Sequence, residues 1–328
     1  MKKLFIFYIL GMILFSFILG AENEKKQNHK KGRLSFYLEN DLFARTDRYY
    51  TNGVKLTWIS PVRWLWKDDE KCQRAMSFSL GQNMYTPDNI EKADLIEDER
   101  PYAGYTYFEI GFHKKTLYMM DSLEFSVGIV GPHSFAEQTQ KIIHFLTGAI
   151  PPEGWEHQLK DEFVLGVTFD RKWKLFRWRR GQKLSFELLS HGGGSLGNVM
   201  TAAGAGLQFR LGWHLPDDFG TFLIRPAGES TVFNDKMLSG PDIDHSFGFH
   251  ALVSLEGQAV LRNLFLDGNT FQDSHKVEKK PLVADIVVGV RAIFKKVQVS
   301  YVYVYRTRQY ITQKRKEIFG SWNISLSF

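Results

Sequence analysis

Residues 296–328 read KVQVSYVYVYRTRQYITQKRKEIFGSWNISLSF, and this stretch decides the fold. Val297, Val299, Tyr301, Tyr303 and Tyr305 fall in one phase of a period of two. After a basic loop, RTRQYITQKRKE, the alternation resumes: Gly320, Trp322, Ile324, Leu326 and Phe328 share one face, and Ser321, Asn323, Ser325 and Ser327 share the other. Successive side chains of a strand point to opposite faces, so each run is a strand with one apolar and one polar face.

The pattern recurs along the chain. Leu123, Phe125, Val127 and Ile129 alternate with Glu124, Ser126 and Gly128. Leu184, Phe186 and Leu188 alternate with Ser185 and Glu187, and Ala203 to Leu211 with Gly204, Gly206, Gln208 and Arg210. Phe247 to Leu255 and Ile286 to Val290 behave alike. Such segments predict an all-β, transmembrane, antiparallel up-and-down β-barrel. In lipid only helices or closed barrels satisfy every backbone group. A soluble sandwich or lipocalin-like barrel would show the same period with its polar face outward. The export signal, Tyr and Trp at strand ends, small or charged residues on the second face and the terminal Phe favour the membrane.

The first residues have a two-lysine head, an apolar run from Leu4 to Leu19 and then Gly20-Ala21. This reads as a secretory signal peptide, 1–21, because the run is short for a spanning helix. Residues 22–32 are a polar, basic leader, and one barrel domain occupies 33–328 with no linker dividing it. Removing Lys2 and Lys3 takes the formal charge from +6 to +4, a mild basicity suited to anionic surfaces. Cys72 stands alone, so no internal disulfide forms. A closed barrel has no free edge, and a monomer is expected.

One stretch breaks the period: GPHSFAEQTQKIIHFLTGAIPPEGW, residues 131–155. Ser134 and Glu137 have capping-box spacing, Gly148 supplies a stop and Pro151-Pro152 forbids continuation. A short helix over about 135–147 in a loop follows. Gln140 and His144, four apart, share a face. Ile142, Ile143, Phe145 and Leu146 give His144 an apolar setting that would keep its imidazole neutral, as a general base requires.

Near the first strand, YLENDLFARTDRYYTNGVKLTWIS (37–60) sets Asn40-Asp41 between two alternating runs. In an unbroken strand Asn40 is in phase with lipid-facing Leu38, and a bulge would reverse this. Thr51 and Asn52 follow, with Asn52-Gly53 read as a strand-start turn. HGGGSLGN (191–198) reads as a loop, too glycine-rich for a strand.

These residues together with EDERPYAG, GIVGP…Q…H…GW..QL, SLGNV.TAAGAGLQFRLG and DFG…IRP resemble the outer-membrane lipid A 3′-O-deacylase family, LpxR-type. The match runs from about Ser35 to the C-terminus. The resemblance implies a twelve-stranded outer-membrane barrel and a calcium-dependent esterase that removes the 3′-linked acyloxyacyl group of lipid A. It implies a site between the barrel wall and a loop helix, open to the outer leaflet. Carried over, the general base is His144 and the preceding Gln is Gln140. The Asn-Asp pair for oxyanion and metal is Asn40 and Asp41. The family's acidic residue after the His has Glu153 as its candidate.

The chemistry agrees with these types. His144 takes a proton from water, Asn40 donates to the oxyanion, and calcium, a hard cation, wants oxygen ligands such as Asn40, Asp41 and Glu153. Lipid A carries phosphates, which Arg100, Arg45, Arg48 or Lys55 would meet, with Thr51 near the substrate. The partners expected are lipid A and outer-membrane lipids, not nucleic acid. Two rival readings are an outer-membrane phospholipase with a Ser-His-Asn site and a porin or adhesin.

Overall fold

The structure is a computed structural model describing residues 32–41, 49–61, 72–180, 184–220, 223–225, 228 and 247–327. The expected signal peptide, all of the leader but Gly32, Arg45, Arg48 and Phe328 lie outside the described residues. Twelve strands form one closed barrel. They are β1 (Arg33–Asn40), β2 (Tyr49–Pro61), β3 (Gln73–Thr86), β4 (Ala103–Lys115), β5 (Met119–Val130), β6 (Glu162–Arg180), β7 (Leu184–Gly197), β8 (Met200–Trp213), β9 (Phe247–Asn263), β10 (Leu282–Phe294), β11 (Val297–Arg306) and β12 (Glu317–Ser327). Each pairs antiparallel with its neighbours, and β1 closes on β12 from Arg33↔Ser327 to Asn40↔Gly320.

The alternation read from the sequence is the lining of this wall. Leu80, Phe125, Leu165, Leu211, Ile286 and Val288 are exposed on the outside. Their neighbours face a polar lumen, where Ser35 and Ser325 hydroxyls lie 2.9 Å apart, as do those of Thr57 and Ser79. Among the described residues no helix is long and apolar enough to cross a membrane. Strands do the crossing, because closure leaves no backbone group unpaired in lipid.

Both described chain ends lie at one end of the barrel, where the turns 116–118 and 295–296 are short. The opposite, loop end carries the long connectors 87–102, 131–161, 264–281 and 307–316. Barrels of this kind put short turns inside and long loops outside the cell. The exception is the β8–β9 connector, which leaves the terminal end yet enters the lumen. Asp218 lies between Arg210 and Arg291, the latter at 2.6 Å. Asp217 accepts from Lys174 and, at 3.0 Å, from Arg177. Further up, Leu223 packs with Tyr50, Val302, Val304 and Phe319.

At the loop end a lid closes the mouth. The Arg100 guanidinium lies 4.5 Å over the Tyr85 ring, which stacks at 4.2 Å on Phe265 of α2 (Leu264–Asp267). Tyr310 donates its hydroxyl to Glu99. Burial pushes the Glu99 carboxyl above its usual range, against the opposing pull of that hydroxyl and Lys314. Between lid and lumen segment remains a cavity of about 230 Å³ lined by residues such as Tyr105, Tyr107, Asp170 and Lys172.

Three sequence expectations change. HGGGSLGN is not a loop, since 191–197 continue β7. Pairing to β6 and β8 on both sides overrides weak glycine propensity, and a Cβ at Gly193 would overlap the Phe169 carbonyl. Asn52-Gly53 is not a turn but the interior of β2, paired to both β1 and β3. Lys55 turns inward to Glu109 at 2.7 Å and meets no outer-leaflet phosphate.

Candidate functional site on the outer wall

Paired residues of an antiparallel ladder point to the same face. β1 runs unbroken to Asn40, so Asn40 keeps the outward phase of Leu38. Asn40 pairs with Asn52, Asn52 with Met84, and Met84 with Gly104. One row of outward positions thus crosses β1 to β4 at the loop end.

The helix α1 (Ala136–Thr147) is docked on the β3–β4 end of this row. Its first residue, Ala136, is buried with Met84, Ile90, Tyr102 and Trp155. Gly104 permits the approach, because a Cβ there would overlap Ser134 Oγ and Ala136 Cβ. The Ser134 carbonyl accepts from Gln82 Nε2 and Thr106 Oγ1, both at 2.7 Å. The expected capping box does not form. A 3-10 turn, Pro132–Ser134, ends in left-handed Phe135 (φ 58°), which becomes the N-cap and displaces Ser134 from it. Glu137 turns instead to Lys141 at 2.6 Å and Gln158 at 3.3 Å.

Ala136, Gln140 and His144 are the buried residues of α1. They form one stripe, about 12 Å long at 1.5 Å per residue. That is between two and three strand spacings of about 4.8 Å, the separation of β4 from β2 and β1. The helix is therefore long enough for its stripe to reach from Gly104 to the Asn40–Asn52 pair.

Two contacts orient the stripe. Trp155 Nε1 donates to Gln140 Oε1 at 2.7 Å. Since indole is only a donor, the Gln140 amide NH₂ faces the other way, buried with no hydrogen-bond partner among the described residues. At the helix end, Gly148 takes φ 64° and folds the chain back, so that His144 Nδ1 donates to the Ile150 carbonyl. A carbonyl accepts only, so Nδ1 carries the proton and Nε2 of the neutral ring holds a lone pair. The apolar neighbours do not enclose the ring as expected. Ile142 and Leu146 are exposed, and Phe145 is 85 % exposed on the outer side.

Gly148→Val would strain the left-handed turn and shift the Ile150 carbonyl. We expect it to lower turnover about tenfold, the equivalent of about 1.4 kcal/mol in the barrier, with the barrel intact. A kcat equal to that of the parent, on a heat-modifiable folded band, shows that the carbonyl does not set the ring.

The other expected residues divide in two. Asp41 is wholly buried just beyond Asn40, and Thr51 Oγ1 lies 2.7 Å from Thr86 Oγ1 beside Asn52. Asn52 Oδ1 is buried with no hydrogen-bond partner among the described residues. Amide and carboxylate oxygens are the donor types that suit a hard cation. Among the described residues no group of three or more His, Cys, Asp or Glu assembles, so such a site would lean on amide and backbone oxygens. Glu153 and Arg100 stand apart. Glu153 is exposed, with its backbone N–H given to Ile90 at 2.9 Å, and His144 Nδ1 meets the Ile150 carbonyl instead of this carboxylate. Arg100 belongs to the lid over the lumen, reaching Gln309 at 3.4 Å. Sequence reasoning missed the Gly104 docking point and the Trp155 clamp, and it weighed Asn52 for the site but preferred a turn there. The GW of the quoted motif was a signal for Trp155, but its partner is set by a fold-back across Pro151-Pro152.

No curated protein sequence matches the chain. LpxR from Salmonella typhimurium superposes with a TM-score of 0.72 at 18 % identity, covering 90 % of this chain and 100 % of that one. The translocator domain of autotransporter NalP from Neisseria meningitidis matches with a TM-score of only 0.43 at 9 % identity, over 98 % of this chain and 95 % of that one. The model of the family Outer membrane protein LpxR matches residues 4–328, and the chain therefore belongs to that family of outer-membrane barrels.

Proposed function

We propose that the protein is an outer-membrane esterase that hydrolyses the 3′-linked acyloxyacyl chain of lipid A, with a histidine-activated water. One observation carries this reading: Asn40, Asn52 and the buried stripe of α1 lie on the outside of the barrel wall, where lipid is, and not in the lumen. Polar side chains on a lipid-facing rim suit a substrate that is itself a lipid of the outer leaflet.

In this reading His144 Nε2 accepts a proton from water as the water oxygen bonds to the ester carbonyl carbon. Asn40 and the free NH₂ of Gln140 donate to the oxyanion that forms. The acyl–oxygen bond then breaks, and His144 returns the proton to the departing alkoxide. Asp41, Asn40 and Asn52 would hold calcium, which when bound polarises the ester carbonyl as a Lewis acid. No carboxylate is needed beside the ring, since the Ile150 carbonyl fixes its tautomer.

The rival readings fit less well. A serine–histidine hydrogen bond does exist, at His113, with Ser77 Oγ at 2.8 Å and Ser122 Oγ at 3.0 Å. That trio is buried in the lumen, both ring nitrogens are engaged, and it meets no lipid. A porin needs an open lumen, and this one holds the β8–β9 segment below and a lid above.

The test is mass spectrometry of lipid A incubated with the purified barrel and calcium. Loss of the acyloxyacyl mass is expected, and its absence overturns the reading. Asn40→Ala should cut the rate about 100-fold, the usual cost of one oxyanion donor. Asp41→Ala should mainly raise the calcium needed for half-maximal rate. Folded variants with full activity would return the pair to a mere strand end.

A further inference from the structure

The β8–β9 segment does more than fill the lumen. Its lower part is anchored by ion pairs. Asp217 is held by Lys115, Lys174 and Arg177, Asp218 by Arg210 and Arg291, and Leu215 offers its carbonyl to Arg177 at 2.9 Å. Its upper part, Leu223–Arg225, reaches the inner face of the wall near the loop end. The Ile224 backbone N–H donates to Glu39 Oε1 at 2.8 Å. Arg225 pairs with Glu256, which also accepts from His191 at 3.0 Å. Leu223 packs on Tyr50, whose ring lies 5.0 Å from Phe319 and 5.4 Å from Tyr85.

Glu39 and Tyr50 are the inward neighbours of the outward site. Glu39 immediately precedes Asn40. Tyr50 immediately precedes Thr51 and Asn52, at the irregularity where the β2–β3 register shifts. Gly53 leaves room for the Tyr50 hydroxyl on the inner side, where a Cβ would overlap it. The wall is one strand thick, so a side chain fixed on its inner face fixes the backbone that aims the next side chain outward. Among the described residues the ladder of β1 ends at Asn40, while β2 stays paired to β3 as far as Tyr49.

We propose that the lumen segment is an internal brace for the catalytic rim, with Glu39 as a positioning residue that acts on Asn40 and Asp41 through the backbone of β1. The proposal rests on the reading of that pair as the site. Glu39 touches no substrate. Its carboxylate receives the Ile224 N–H, and that bond joins the outer rim of β1 to a segment secured at the opposite end of the barrel.

The test compares four variants of the full-length protein in detergent with lipid A and calcium. Each is checked for folding by heat-modifiable mobility. Glu39→Ala should lower kcat by about ten- to a hundredfold, the effect of a displacement of about 1 Å at a reacting centre. It should leave KM for lipid A near the parent value and raise the calcium needed for half-maximal rate. Glu39→Gln keeps an acceptor for Ile224 and should restore most of kcat and the parental calcium requirement. Leu223→Ala leaves β1 untouched and should shift both quantities the same way by a smaller factor. It carries the test alone should Glu39→Ala not fold. Asp41→Ala is the reference. Parental kcat and calcium requirement in both Glu39→Ala and Leu223→Ala, beside a crippled Asp41→Ala, overturn the brace and leave the site reading standing. Failure of Glu39→Gln to rescue also overturns it. A fully active Asp41→Ala removes the site reading, and the brace with it.

Discussion

His144→Ala should lower lipid A deacylation by at least about 100-fold, within the range of about 100- to 10,000-fold that a positioned general base contributes. The expectation comes from the arrangement of the ring and not from the presence of a histidine. Nδ1 is committed to the Ile150 carbonyl, so the lone pair of the neutral imidazole lies at Nε2. The ring is on the buried stripe of a helix pinned to the wall by Gln82, Thr106 and the absent side chain of Gly104. The helix keeps its other contacts in the variant, since Ala136 and the Trp155–Gln140 bond do not involve His144. The measurement is single-turnover release of the acyloxyacyl group, with folding checked in parallel. A folded His144→Ala of parental rate removes the water-activation mechanism. A serine that proves essential and becomes acylated replaces it with the phospholipase type.

Asp218→Ala should destabilise the barrel by about 3–5 kcal/mol, the cost of removing one partner from a buried ion pair. Asp218 is fully buried between two buried arginines. Without it, Arg210 retains Glu187 at 3.1 Å, but Arg291 loses the Asp218 carboxylate and the lumen segment loses one of its two anchoring carboxylates. The cost is measured as a lower midpoint of denaturant-induced unfolding in detergent. Conductance steps in planar bilayers, absent from the parent, should accompany it as the segment leaves the lumen. A parental midpoint and silent bilayers would show that the connector is not held through Asp218.

The barrel was legible in the sequence for a physical reason. Lipid imposes a period of two on every strand it touches, and Leu123 to Ile129 or Phe247 to Leu255 record it directly. The stretch 191–197 hid its strand because glycine records close approach of neighbours, which has no local period. The pairing of Gln140 and His144 was legible from helical spacing. Their real partners were not. Trp155 and the Ile150 carbonyl arrive through a fold-back set by Gly148, and the apolar residues beside His144 serve the outside and not the ring. The phase of Asn40 could be read, provided the strand was unbroken, and it is. The roles of Asp217 and Asp218 could not, because their pairs with Lys174 and Arg291 link residues 43 and 73 apart in the chain.

Phe145, Ile142 and Leu146 of α1, with Ile150 just beyond it, turn an apolar edge away from the barrel. An edge of that kind is at home among acyl chains, so the rim beside it opens within the plane of a lipid film. Enzyme and substrate then meet by lateral diffusion in two dimensions. The natural concentration variable is the mole fraction of lipid A in the film around the barrel, and inert amphiphile dilutes the substrate even when the amount per volume is unchanged.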